Sequence, residues 1–269
     1  MPAPERVISF LRVFLIGGAI SYRALFNWIK PSIYIPTMLG SPLFQIVFFT
    51  YLGRFSGAKE SDAFFIVGNA VQVCAMSSVY GMTMAVANER WFGTLGPLLA
   101  SPANRLAVFL GRGLPVLANA LVVSLFGFLV GVVLLGFRPG WDVVPALAAV
   151  VLATALSCTA FGMLLGSIGL YGKDFFFVAN LAYYVLLLFC GVNVPLDVLP
   201  GWMQAIGRCL PLTHGIEAAR EVAGGAGLSS VSGLIWTELG IGAAYAAAGF
   251  VLFRLLEDAS RRSAVLDTF

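Results

Sequence analysis

Apolar residues run in long blocks along this chain, and charged residues are confined to the gaps between them. Stretches free of Asp, Glu, Lys and Arg cover residues 31–53, 63–88, 113–137, 143–172 and 175–196. A sixth block, about 231–253, holds one charge, Glu238. A helix needs roughly 20 apolar residues to cross the hydrocarbon core of a bilayer. The blocks therefore predict six membrane-spanning helices, over about 31–53, 63–88, 106–137, 143–172, 175–194 and 231–254. Six spans put both termini on one side. The predicted fold is all-α and membrane-integral, with residues 1–269 forming a single transmembrane domain.

The gaps divide into three kinds. Residues 5–30 place Glu5, Ser9, Arg12, Arg23, Asn27 and Lys30 at helical spacing on one narrow stripe, with apolar residues elsewhere. Such a helix lies in the membrane interface. A cleaved signal peptide fits less well, because Arg12 interrupts the apolar run and no small-residue cleavage site follows. Residues 89–105 form a short charged island. Thr94 suits a helix N-cap. Pro97 would be third in that helix, where its missing N–H costs no helical bond. Ser101-Pro102 ends it, because a residue before proline avoids helical angles. Leu95, Leu98 and Leu99 make its apolar patch, flanked by Glu89, Arg90 and Arg105. An ordinary loop helix on the lipid headgroups reads the same way. Residues 195–222 are too polar and too proline-punctuated to span. They predict an outer hairpin of two short helices, begun near Pro200 and Pro211. The first groups Trp202, Ile206 and Leu210; the second groups His214, Glu217 and Glu221. The hairpin either dips into the outer leaflet, covered by protein or water, or is a helical external loop.

Composition agrees with the blocks. The chain is 59% hydrophobic and 11% charged, where a soluble domain carries about 25% charged residues. The mean hydropathy is +0.93. No basic face suits nucleic acid. Of the 16 Lys and Arg residues, 11 fall on the side that holds the termini and the island. Only Arg54, Lys59, Arg138, Arg208 and Arg220 fall on the other. Basic residues favour the cytoplasm, so termini and island are expected there. The four cysteines have no CxxC spacing, which argues against zinc or redox chemistry. Spacing leaves a Cys190–Cys209 disulfide open.

Polar residues inside spans are Asn69, Gln72, Asn119, Ser124, Thr154, Ser157, Thr159, Asn180, Tyr183 and Tyr184. They suit gluing helices together more than lining a path. Glu238 is an ionisable group in a span, and so a functional candidate, weakened by its shallow position near the outer end. No phosphate-binding loop, HExxH or GxSxG motif occurs, and His214 is the only histidine. The chain carries no evident energy source or catalytic residue of its own.

The order of features resembles the permease subunit of type-2 ABC transporters, the group of bacterial drug, polysaccharide and lipid exporters. An interfacial helix and two spans are followed by an E-R-x-x-G-T-L island ending in S-P-x-x-R. Four more spans follow, with an outer hairpin before the last. The matching residues are Glu89, Arg90, Gly93, Thr94, Leu95, Leu98, Leu99, Pro102 and Arg105, with Pro195, Leu199, Pro200, Pro211 and Leu212 outside. One departure is Gly96-Pro97, where the family often carries an acidic residue that can pair with the ATPase. The resemblance implies that the island is a coupling helix docking into a separate cytoplasmic ATPase, which holds the ATP and Mg. It implies two ATPases, a second permease that is identical or homologous, and a bacterial inner-membrane location. It also implies a substrate path along the first and fifth spans, here Tyr34, Met38, Phe44, Phe48, Phe176, Tyr183, Tyr184 and Phe189. That aromatic, uncharged lining suits an amphipathic, drug-like, lipid or glycan cargo. Two other classes compete. An ion-driven transporter or channel would use Glu238. A membrane-embedded enzyme would use His214, Glu217 and Glu221.

Overall fold

The computed structural model describes residues 12, 14, 16–18, 35–57, 59–91, 105–169 and 175–263. Within them the chain is helical, with no strand. A π-helical turn at Ile35–Gly40 leads into α1 (Ser41–Ser56). The second to fourth helices are α2 (Asp62–Trp91), α3 (Arg105–Leu134) and α4 (Val144–Gly169). Next come α5 (Phe175–Phe189), the short outer helices α6 (Gly201–Cys209) and α7 (Thr213–Ala223), and the long α8 (Ser232–Ser263).

Four helices are long and apolar enough to cross a membrane: α2, α3, α4 and α8. The expected first span is described from residue 35, where the π turn runs directly into α1. Pro42 sits in the first turn of α1, where it has no N–H to continue the preceding π turn. The expected fifth span is shorter. α5 has 15 residues, about 22 Å at 1.5 Å per residue. It stops at Phe189 because Gly191 turns the chain with a positive φ of 72°. The predicted 175–194 span is thus a shorter helix plus a turn. α8 runs past the expected 254 to Ser263.

α2 is the hub. It packs along α4 and α3, and α4 packs in turn on α8. Two glycines one helical turn apart let α4 approach. A Cβ at Gly162 would lie 2.8 Å from the Val79 carbonyl oxygen, and one at Gly166 would lie 2.7 Å from Val86 Cβ. Small residues at this spacing bring membrane helices close without help from the hydrophobic effect, since lipid is as apolar as the side chains. Asn119 Nδ2 donates to Ser77 Oγ at 2.7 Å, and Ser124 Oγ donates to the Ala70 carbonyl at 3.1 Å. Both bonds tie α3 to α2, the gluing role expected of them. Thr154 and Thr159 instead donate to carbonyls of their own helix.

Of the expected interfacial helix, the described residues 12, 14 and 16–18 are helical. Gly18 lies against Gly111 and Leu114 of α3.

Candidate functional site

Two features stand out on this scaffold: the α1–α5 seam, where one side-chain hydrogen bond joins two helices that carry exposed aromatic residues, and a cap built from α6 and α7.

The seam holds most of the expected path residues. Phe44 and Phe48 of α1 are exposed, as are Phe176 and Tyr184 of α5 and Met38 of the π turn. Phe189 is half-buried and meets the Trp202 ring edge-on at 5.9 Å. Tyr34 lies outside the described residues. Tyr183 does more than line the seam. Its hydroxyl donates to Gln45 Oε1 at 3.1 Å, joining α5 to α1. Gln45 Nε2 donates to Asn69 Oδ1 at 3.1 Å, and Asn69 Nδ2 donates to Asn193 Oδ1 at 2.7 Å. Four side chains from α1, α2, α5 and the following turn are thus linked in one chain. A second pair, Tyr80 donating to Asn180 Oδ1 at 2.6 Å, joins α2 to α5. Gln45, Tyr80 and Asn193 are absent from the residues singled out by sequence. Gln45 is the detectable one, as a lone amide in the apolar 31–53 block.

The cap is the predicted hairpin, and its helices begin after Pro200 and Pro211–Leu212 as expected. Trp202 and Ile206 are exposed while Leu210 is buried, so that apolar face is split between the core and the outside. Glu217 and Glu221 are exposed. Burial holds the His214 imidazole below its ordinary pKa, with Glu217 opposing the shift and Arg208 adding to it. Among the described residues, no group of three or more His, Cys, Asp or Glu could hold a metal. Cys190 and Cys209 are both free, the first buried and the second exposed.

Two charged residues fix the cap. Glu238, near the start of α8, is buried in protein at 1% exposure. Its carboxylate accepts the Leu212 N–H at 2.8 Å and the Gly215 N–H at 3.2 Å, at the start of α7. Free N–H groups and the helix dipole both favour an anion there. Leu212 has φ 101°, a conformation L side chains rarely adopt. Arg220, which the sequence marks only as an external charge, reaches back between the spans. Nη1 donates to the Gly191 carbonyl at 2.9 Å and Nη2 to Val192 at 2.7 Å. Nε and Nη2 reach the Phe64 carbonyl at 3.3 and 3.2 Å. The guanidinium carbon lies 3.4 Å from the Phe64 ring centre. Burial lowers the Arg220 pKa to about 9, which leaves it charged at neutral pH.

Little of the expected coupling island falls within the described residues. Glu89 and Arg90 fall in the last turn of α2 and Arg105 opens α3. Gly93, Thr94, Leu95, Leu98, Leu99 and Pro102 lie outside the described residues.

The polar groups of the seam and cap are spent on hydrogen bonds between helices, and Glu238 is committed to the backbone of α7. That is the build of a multi-pass helical membrane protein. Comparison with known proteins places the chain within that class. It belongs to the ABC-2 type transporter family, whose profile matches residues 18–223. Its place in that family is the permease, the transmembrane component of an ATP-driven exporter; hydrolysis of ATP falls to a separate ATPase subunit. It is 29% identical over 228 residues to the probable doxorubicin resistance ABC transporter permease protein DrrC of Mycobacterium tuberculosis, covering 80% of each chain. It is 27% identical over 219 residues to the daunorubicin resistance ABC transporter permease protein DrrB1 of Streptomyces coeruleorubidus, covering 79% of this chain and 77% of that one. The probable multidrug ABC transporter permease YbhR of Escherichia coli is 25% identical over 199 residues, 71% of this chain and 52% of that one. The ion-driven and enzymatic alternatives give way to this family.

Proposed function

We propose that this permease exports an amphipathic, drug-like, lipid or glycan molecule along the seam between α1 and α5. The observation that carries the reading is the joining of those two helices, each with an exposed aromatic face, by the Tyr183–Gln45 bond. The drug-resistance names of the relatives favour a drug-like cargo.

In this reading the working unit holds two permeases, identical or homologous, and two cytoplasmic ATPases that bind ATP and Mg. Residues 89–105 form the coupling segment. Its Leu95, Leu98 and Leu99 patch fills a cleft of the ATPase, while Glu89, Arg90 and Arg105 tie it to α2 and α3. Both termini face the cytoplasm of a bacterial inner membrane, as the basic residues favour. ATP binding closes the ATPases, the coupling segment follows, and packed spans shift as bodies.

The test is purification of the tagged chain in mild detergent from its own host. An ABC ATPase is expected to co-purify in equal amount, and ATP hydrolysis to follow it. Recovery of the permease free of any ATPase, with cargo moved uphill in vesicles without ATP, would refute this assembly.

A further inference from the structure

The bonds around the seam divide the chain there into two bodies. α1 is fastened to α2. Arg54 Nη2 lies 2.6 Å from Asp62 Oδ2, Gln45 Nε2 donates to Asn69 Oδ1, and Gly53 packs directly on the Phe65 ring. α5 belongs with the turn that follows it. The Cys190 N–H still donates to the Leu186 carbonyl at 3.1 Å, so the turn at residues 190–195 leaves the helix without a linker. α1 packs on α2 and α3, whereas α5 packs on α2, α4 and α6. Phe177, Leu181 and Leu188 of α5 are exposed, which places that helix at an edge.

Three side-chain bonds cross between the bodies. The Tyr183 hydroxyl donates to Gln45 Oε1, Tyr80 donates to Asn180 Oδ1, and Asn193 in the turn accepts from Asn69 Nδ2. All three partners on the α5 side lie on α5 or its turn. Arg220 of α7 straddles the same boundary. It donates to Gly191 and Val192 in the turn and to the Phe64 carbonyl in α2. The turn also touches the start of the cap helix, because Cys190 Sγ lies 3.7 Å from the Pro211 carbonyl oxygen. A guanidinium is one rigid plane. If α5 and its turn part from α1 and α2, Arg220 has to release either the turn or Phe64.

We propose that the seam and the cap open in a single step, with residues 190–195 as the relay and Arg220 as the residue that senses it. Separation of α5 from α1 carries the turn away from Arg220 and unseats α7. Loosening of α7 in turn frees the end of α5. On the reading that cargo passes along the seam, the path cannot open while the cap stays seated.

The test uses the purified chain in lipid nanodiscs, with any ATPase that accompanies it. Two rates are read by mass spectrometry. Amide exchange across Thr213–Ala223 reports local opening of α7. Reaction of Cys190, which is buried, with a water-soluble maleimide reports separation of the turn from Pro211. Tyr183→Phe removes one hydroxyl from α5 and nothing from the turn or α7. It is expected to quicken both rates by one common factor, roughly two- to tenfold, the worth of one neutral hydrogen bond. Asn193→Ala is expected to do the same. Arg220→Lys is expected to quicken the Cys190 reaction as well as exchange in α7. Ser124→Ala removes a hydroxyl bond between α3 and α2 and is expected to leave both rates as in the wild type. Either rate changing in Tyr183→Phe without the other overturns the single step, as does no change in either. Equal quickening by Ser124→Ala overturns the route through the turn. Faster reaction of Cys158, in the core of α4, marks general unfolding and overturns it too. Neither cargo nor ATP enters the measurement, so its failure leaves the exporter reading standing.

Discussion

The contact that most repays attention at the scale of single residues is Glu238 with Leu212. A carboxylate without a cationic partner, at 1% exposure, is expensive. Here the partners are backbone N–H groups of Leu212 and Gly215, unpaired by nature at a helix start. Leu212 in turn sits at φ 101°, a strain of about 1–3 kcal/mol that persists only where surroundings over-determine it. Its fully buried side chain and the bond from its N–H supply that constraint. Glu238→Gln tests the arrangement with almost no change in shape. The amide has one acceptor oxygen for two donors, and its NH2 would face a backbone N–H. One lost bond to a buried donor costs about 1–3 kcal/mol. At roughly 2–4 °C per kcal/mol for a chain of this size, the detergent-solubilised variant is expected to melt several degrees lower. A Tm equal to that of the wild type would mean that Glu238 does not hold the cap.

Among the elements, α7 is the one whose position depends on distant partners. Arg220 fastens it to the outer start of α2 through Phe64 and to the turn after α5 through Gly191 and Val192. The path of the side chain requires Gly68, because a Cβ there would lie 2.6 Å from Arg220 Nη2 and 2.5 Å from the Val192 carbonyl oxygen. Arg220→Lys keeps the charge but replaces a planar fork, whose three nitrogens reach three separate carbonyls, with one nitrogen at a single point. At least one charge-assisted bond is lost, about 1.5–3 kcal/mol, or roughly tenfold or more in local opening. Amide hydrogen exchange across Thr213–Ala223 is expected to quicken by that factor in Arg220→Lys and Gly68→Ala, with the middle of α4 unchanged. Equal exchange in all three proteins would show that the clamp is not what seats α7. This element also marks where sequence reading stops. The apolar blocks locate every long helix, because hydrophobic length is a property of the local chain. The prolines locate α6 and α7 for the same reason. The π turn that opens the described part of the first span and the early end of the fifth follow from Pro42 and Gly191, whose effects depend on neighbouring backbone. The partners of Arg220, Glu238 and Gln45 are 23 to 156 residues away in the chain. Nothing in local pattern tells a clamping arginine from a solvated one, so those contacts were not legible.

For the whole molecule, the question is how force applied on one side reaches a path that opens on the other. α2 is the element placed to carry it. Its last turn holds Glu89 and Arg90, its middle bonds to Gln45 and Asn180, and its start receives Arg220. α4 locks against it through Gly162 and Gly166, so the two move as one body. Packed interfaces of this kind switch between arrangements and do not bend. In the proposed coupling, a push on residues 89–105 is delivered along α2 to the seam and the cap together, provided that the ATPase grips the segment by its proposed Leu98 and Leu99 patch. A charge buried in such a contact without a partner costs about 2–5 kcal/mol, roughly 30-fold or more in affinity. The double variant Leu98→Asp, Leu99→Asp is therefore expected to lose co-purification of the ATPase and ATP-driven transport. Its abundance in the membrane and its Tm as a free permease are expected to match the wild type, since both positions fall between the spans that the sequence predicts. Wild-type transport by that variant at wild-type abundance would place the coupling contact elsewhere on the chain.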